Sequence, residues 1–198
     1  MSDEWPVDVR GIIEAIVTTR GLDGAYNVAA LGLHAGDPVT ARTWGQTRTR
    51  KNFERVGSGY VQFTRDPIDF VEAALTVREV EEPVLDGVDA WARVTVASCD
   101  RGTDGSTDWV DWELRPVETG VERRVVPTIN RGRAAVIEAT IAASRLGVET
   151  YDDDRLLGRL SYFVDVIERC GGEREQAALE RLRTAVELPD ADARFESF

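Results

Sequence analysis

Lysine is almost missing from this chain: Lys51 is the only one among 24 basic residues, which face 36 acidic ones. With a net charge of −12, this composition predicts adaptation to high salt, because carboxylates keep a surface hydrated whereas lysine adds long apolar stems. In about 1 M salt the screening length falls to roughly 3 Å, so an anion site must work through direct hydrogen bonds from arginine and backbone. The same negative field argues against nucleic acid or an anionic membrane as partner. Histidine is represented by His34 alone, which excludes a multi-histidine metal centre and gives no general support to a Ser-His-Asp triad; it reads as a turn residue. Cys99 and Cys170 are far apart and without metal-ligand spacing, as expected of reduced structural thiols in a reducing cytoplasm. No apolar run approaches the roughly 18 residues of a membrane span. The acidic start MSDEWPVDVR has no apolar signal core, so a soluble, non-secreted protein is expected. Walker and GxGxxG phosphate loops are also missing, and Asp152-Asp153-Asp154 reads as an acidic helix start rather than a metal site.

Against this background one stretch stands out. Residues 41–56, ARTWGQTRTRKNFERV, gather Arg42, Arg48, Arg50, Lys51 and Arg55 against Glu54 alone. Thr49 is placed to cap a short helix running to Val56, with Asn52 in its first turn and Gly57 just past its end. Free N–H groups at that helix start, flanked by arginines and the hydroxyls of Thr43, Thr47 and Thr49, suit a phosphate. The plainer alternative is a solvated loop with incidental basic residues.

Before that stretch, residues 10–20 and 25–33 read as strands joined by the turn Gly21-Leu22-Asp23-Gly24, and Val39–Thr43 reads as a third strand. After it come a strand at Gly59–Thr64 and a helix opened by Asp66-Pro67 and ending near Leu75. Two longer strands, Ala90–Ser98 and Trp109–Val117, flank the turn-rich RGTDGSTD. In the second, Val110, Trp112 and Leu114 share one face while Trp109, Asp111 and Glu113 share the other. Trp109 is therefore a candidate subunit contact, or a ring partly buried beneath a loop. From Thr128 onward the pattern turns helical, over about 129–146, 152–170 and 173–187, with Ile137, Ile141 and Ser144 at helical spacing in the first of these. The expected fold class is α+β, an antiparallel β domain followed by a small helical bundle.

The order of these motifs resembles a known family. Thr18-Thr19-Arg20 through Asp23–Ala30 looks like the first hairpin of flavin-reductase-like proteins with the FMN-binding split barrel. Arg48–Phe53 followed by Gly59-Tyr60-Val61-Gln62-Phe63 looks like their loop, short helix and next strand. Asp66-Pro67, Glu72–Leu75 and Asn130–Thr140 resemble an archaeal branch of that group, domain of unknown function 447. The likeness implies a split barrel over 9–122 and a helical domain over 128–187; the remaining residues 188–198, LPDADARFESF, read as a flexible tail. It further implies a homodimer holding FMN, with a nicotinamide donor as the usual partner. By position, Thr43, Arg48, Thr49 and Asn52 would hold the phosphate and ribityl chain, and Asn27 with the backbone of Ala29, Ala30 and Leu31 would lie near the isoalloxazine. Asn130 and Arg131 would close over the site; their plain roles are a helix cap and a surface ion pair. A flavin-dependent oxidoreductase or flavin reductase is the function implied; a deazaflavin enzyme on the same fold and a non-catalytic flavin or phosphorylated-ligand binder are the alternatives.

Overall fold

The computed structural model describes residues 4–186; the expected flexible tail lies outside the described residues. The chain divides into two compact units. One takes in residues up to Arg65 together with Val77–Val126, the other Asp66–Thr76 together with residues from Pro127 onward.

The first unit holds β1 (Ile12–Arg20), β2 (Tyr26–His34), β3 (Val39–Trp44), α1 (Arg48–Val56), β4 (Ser58–Phe63), β5 (Arg78–Val80), β6 (Ala90–Asp104) and β7 (Thr107–Val121). Its strands run in the order β1-β4-β6-β7-β3-β2, and β2 pairs back on β1 in antiparallel register, so six strands close a barrel. Closure leaves no edge at the β1–β2 seam. Strand alternation fills the interior with Val17, Leu31, Leu33, Ala41, Val61, Val94 and Leu114. Val110, Trp112 and Leu114 point inward as expected, and Trp109, Asp111 and Glu113 lie on the other face, half-buried.

Two features of the barrel differ from the sequence reading. The strands flanking RGTDGSTD run on through it, leaving only Gly105-Ser106 as the turn, with Gly105 at φ 58°. Every residue of that arm is paired across the hairpin, down to Asp104 opposite Thr107, so the ladder overrides the turn preference of the individual residues. Gly102 is required there for space: a β-carbon would lie 2.5 Å from the indole of Trp109, which rests on it. Trp109 is thus half-buried against a strand rather than beneath a loop. The second difference is β5, which at three residues is too short to show alternation.

The 83–85 segment is held on the barrel by Gln62, a fully buried amide on the outer face of β4. Its Nε2 donates to Thr18 Oγ1 (3.1 Å) and Pro83 O (2.9 Å), and its Oε1 accepts from the Leu85 N–H (2.7 Å). Gln62→Leu strands a buried N–H and weakens the hold on a buried carbonyl; a loss of about 2–3 kcal/mol in chemical denaturation is expected.

The second unit packs α2 (Pro67–Leu75), α3 (Arg131–Ala143), α4 (Asp153–Cys170) and α5 (Glu173–Ala185) around Val71, Val136, Leu160, Val164, Ile167, Leu179 and Leu182. Its caps are those the sequence suggests: Asp66, Asn130 and Asp152 each accept a backbone N–H of their own first turn. A continuous 9–122 boundary would keep α2 with the barrel, but its apolar Ile68, Val71 and Leu75 pack with the later helices. The buried face of α3 is also displaced from the expected one. Ala135, Val136, Ala139, Thr140 and Ala143 are buried, whereas Ile137 and Ile141 are half-buried and Ser144 is exposed. Small side chains face inward because α3 approaches its neighbour too closely for larger ones: a β-carbon on Gly132 would lie 2.5 Å from the Cα of Gly171.

Candidate functional site

Five polar side chains are buried together where α1 meets the barrel. Alternation turns Thr19 of β1, Asn27 of β2 and Thr43 of β3 inward at the same end, and α1 lays Thr49, Asn52 and Phe53 over them. Phe53 anchors the helix, its ring 5.3 Å from that of Trp112 in an edge contact. Each of the five polar groups is less than a tenth exposed.

The helix starts differently from the expectation. Its N-cap is Thr47, whose Oγ1 accepts from the Arg50 N–H (3.3 Å), and Gly57 ends it at φ 67° as expected. Thr49 cannot cap because its hydroxyl points into the barrel, where it accepts from Asn27 Nδ2 (3.3 Å). Asn52 has both ends occupied: Nδ2 donates to Thr19 O (3.3 Å) and Oγ1 (3.1 Å), and Oδ1 accepts from Arg55 (3.1 Å). Thr43 accepts from the Trp112 indole (2.9 Å) and bonds the Val110 carbonyl (3.5 Å), so its hydroxyl is committed to the barrel interior.

Asn27 is the exception. The carbonyl end of its buried amide has no partner among the described residues, and neither has the hydroxyl proton of Thr49. Buried polar groups ordinarily find partners, so the open amide oxygen and the open hydroxyl proton set this pair apart from the other buried groups. The first-turn N–H groups of Arg48 and Thr49 face outward from the helix without intrahelical acceptors. A further opening lies on β2. On its side away from β1, β2 pairs with β5 at Tyr26–Val28 and with β3 at Leu33–His34, so residues 29–32 have no strand on that edge. Ala29 and Ala30 are half-buried there, while the Leu31 side chain belongs to the core.

The basic residues of 41–56 are largely spent within the protein. Arg50 bonds Glu54 and the Gly45 carbonyl, Arg55 bonds Asn52 and the Arg20 carbonyl, and Arg48 pairs with Glu79 at 2.5 Å. Arg42 lies on the outer face, in two parallel bonds to Asp111 (2.7 and 2.8 Å), with its guanidinium 3.8 Å from the centre of the Trp109 ring. The anion-binding potential therefore rests on the helix start and Arg48, not on the sum of charges.

The hydrogen bond from Arg42 holds the Asp111 carboxyl below the usual carboxylate range, against a smaller opposing effect of burial. A depressed folded-state pKa stabilises the fold above the unfolded value of about 3.9 and is lost as pH falls through the folded value. Asp111→Asn is accordingly expected to cost about 1 kcal/mol at neutral pH, the two proteins converging in acid; urea melts across pH check this.

Asn130 and Arg131 belong to the helical unit. The Asn130 Oδ1 accepts from the Arg133 N–H (3.1 Å), which is the plain capping role, and Arg131 lines a cavity of about 320 Å³ with Tyr162, Val166, Arg169 and Cys170.

Comparison with known proteins agrees with this architecture. Residues 13–123 match "Protein of unknown function (DUF447) N-terminal domain", and residues 130–184 match "Protein of unknown function (DUF447)". The chain belongs to the DUF447 family. No curated protein matches it in sequence. Among solved structures, an FMN-bound DUF447 protein from Methanosarcina mazei is 24% identical with a TM-score of 0.76, over 90% of this chain and 96% of that one. This shows a shared fold along nearly all of both chains. An FMN-binding protein from Thermus thermophilus with bound p-hydroxybenzaldehyde (16% identity, TM-score 0.41, 62% of this chain and 81% of that one) is more distant. So is the styrene monooxygenase flavin reductase of Pseudomonas putida S12 (13%, 0.39, 60% and 93%), and at such scores neither carries a structural argument.

Sequence reasoning missed Thr19, Gln62 and Glu79 in this DUF447 protein. Thr19 could have been found, since it shares the alternation of Ala15 and Val17. Gln62 and Glu79 gave no signal, because their roles depend on which loop or strand lies opposite.

Proposed function

We propose that this DUF447 protein binds FMN where α1 meets the barrel and acts as a flavin-dependent oxidoreductase or flavin reductase. The observation that carries the reading is the buried, half-satisfied amide of Asn27 beside the free hydroxyl proton of Thr49. A ligand with hydroxyl, amide and phosphate groups satisfies both, and the FMN of the Methanosarcina relative with the same fold is such a ligand. Arg48, Thr49 and their first-turn N–H groups would hold the phosphate. Asn27 and the open edge at Ala29, Ala30 and Leu31 would receive the polar edge of the ring. Asn52 and Thr43, both engaged, act from behind, fixing β1 and β3 around the site. Bound there, FMN supplies hydride or electron transfer, and the chain orients it and offers donors to negative charge on the reduced ring.

A homodimer, a nicotinamide donor, a cytoplasmic setting and high-salt adaptation complete the proposal. The last is supported by a net charge of −12 with one lysine. The same cradle suits a phosphorylated deazaflavin or a bound flavin that does not turn over. Steady-state loss of NADH or NADPH absorbance with catalytic protein and excess free FMN tests the enzyme reading. Turnover supports a reductase, binding without turnover leaves a flavin carrier, and preferential competition by a deazaflavin reassigns the cofactor.

A further inference from the structure

The residue standing against Arg48, the arginine proposed to hold the phosphate, is a carboxylate. Glu79 lies on β5, directly opposite Asn27 in the β2–β5 ladder, so the two side chains share a face. Its Oε1 is 2.5 Å from Nη1 of Arg48, the first residue of α1. Three elements thus converge at one spot: the half-satisfied amide of β2, the N-terminus of α1 and a negative charge from β5. The pair is open to solvent, with side-chain exposures of 55% and 45%, so breaking it costs little. A carboxylate here opposes an incoming anion twice, by occupying the guanidinium and by repelling like charge.

We propose that Glu79 sets the selectivity of this site between phosphorylated and unphosphorylated flavins, restraining affinity for the phosphate by competing for Arg48. The inference rests on the flavin reading. Glu79 is a positioning residue: it acts through Arg48 and weakens phosphate binding without touching the ring. It keeps the helix start neutral when no ligand is bound, and it makes retention of a phosphorylated cofactor adjustable by salt, which screens the competing charge.

The test compares FMN with riboflavin, which lacks the phosphate, on wild type and Glu79→Gln in moderate salt. In Glu79→Gln the FMN affinity is expected to rise about tenfold, with riboflavin within about twofold of wild type and the FMN gain shrinking in molar salt. In an Arg48→Met background the same substitution should lose most of its effect on FMN, as a double-mutant cycle reports for a residue acting through its partner. An unchanged or lower FMN-to-riboflavin ratio in Glu79→Gln, with both flavins bound, overturns the inference and leaves the flavin reading intact. Binding of neither flavin by wild type overturns the flavin reading, and this inference with it.

Discussion

Asn27→Leu lowers FMN affinity about 10- to 100-fold and leaves the protein as stable as wild type, or more so. The two effects have one origin. In the protein by itself the Asn27 amide is buried with one end unsatisfied, a state that costs folding energy, and leucine of similar size removes the cost. The same end is the one proposed to meet the ligand, so its loss is expected to appear in affinity at about 1–3 kcal/mol. Thr49→Val acts in the same direction, about tenfold, by removing a hydroxyl whose proton is unused within the barrel. Because Asn27 donates to Thr49, the double variant should fall short of the summed losses, and with both partners apolar the fold should be near neutral in stability. Flavin fluorescence titration paired with thermal melts checks both signs at once. A variant that lost affinity and stability together would mark Asn27 as a packing residue.

The largest effect on folding falls on two glycines that look alike in the sequence. Gly132 in α3 and Gly158 in α4 both sit inside helices, where alanine is ordinarily favoured by up to about 1 kcal/mol. Around Gly158 nothing lies within 4 Å of an added β-carbon, so Gly158→Ala should stabilise by about 0.5–1 kcal/mol. At Gly132 the added carbon would sit 2.5 Å from the Cα and 2.7 Å from the N of Gly171. Both contacts are backbone and cannot swing aside, so Gly132→Ala should cost about 3 kcal/mol and separate the helix ends. Denaturant melts of the two variants side by side give opposite signs if α3 packs as described; equal shifts would contradict it.

What could be read from the sequence was whatever is local. The short helix, its terminal Gly57, the cap at Asp66 and the inward face of Val110, Trp112 and Leu114 follow from spacing and side-chain chemistry within a few residues. Thr49 was recognisable as a residue of the helix start, but the direction of its hydroxyl was not. Thr47 and Thr49 are both competent caps, and the choice is made by Asn27, 22 residues earlier in the chain, which draws Thr49 inward. The alanine face of α3 was hidden because hydrophobic spacing favours the bulky Ile137 and Ile141, whereas close approach at Gly132 selects small residues. The basic stretch suggested an anion site by its charge, yet most of that charge is paired with partners as distant as Asp111 and Glu79. Burial, not net charge, picks out the groups that remain.

The visible absorption spectrum of the purified protein in high salt, recorded after incubation with FMN and gel filtration, tests the central claim most directly. A retained flavin band at about one equivalent per chain, lost on Asn27→Leu/Thr49→Val at unchanged stability, is the expected result. A folded wild-type protein that emerges colourless would contradict FMN binding where α1 meets the barrel.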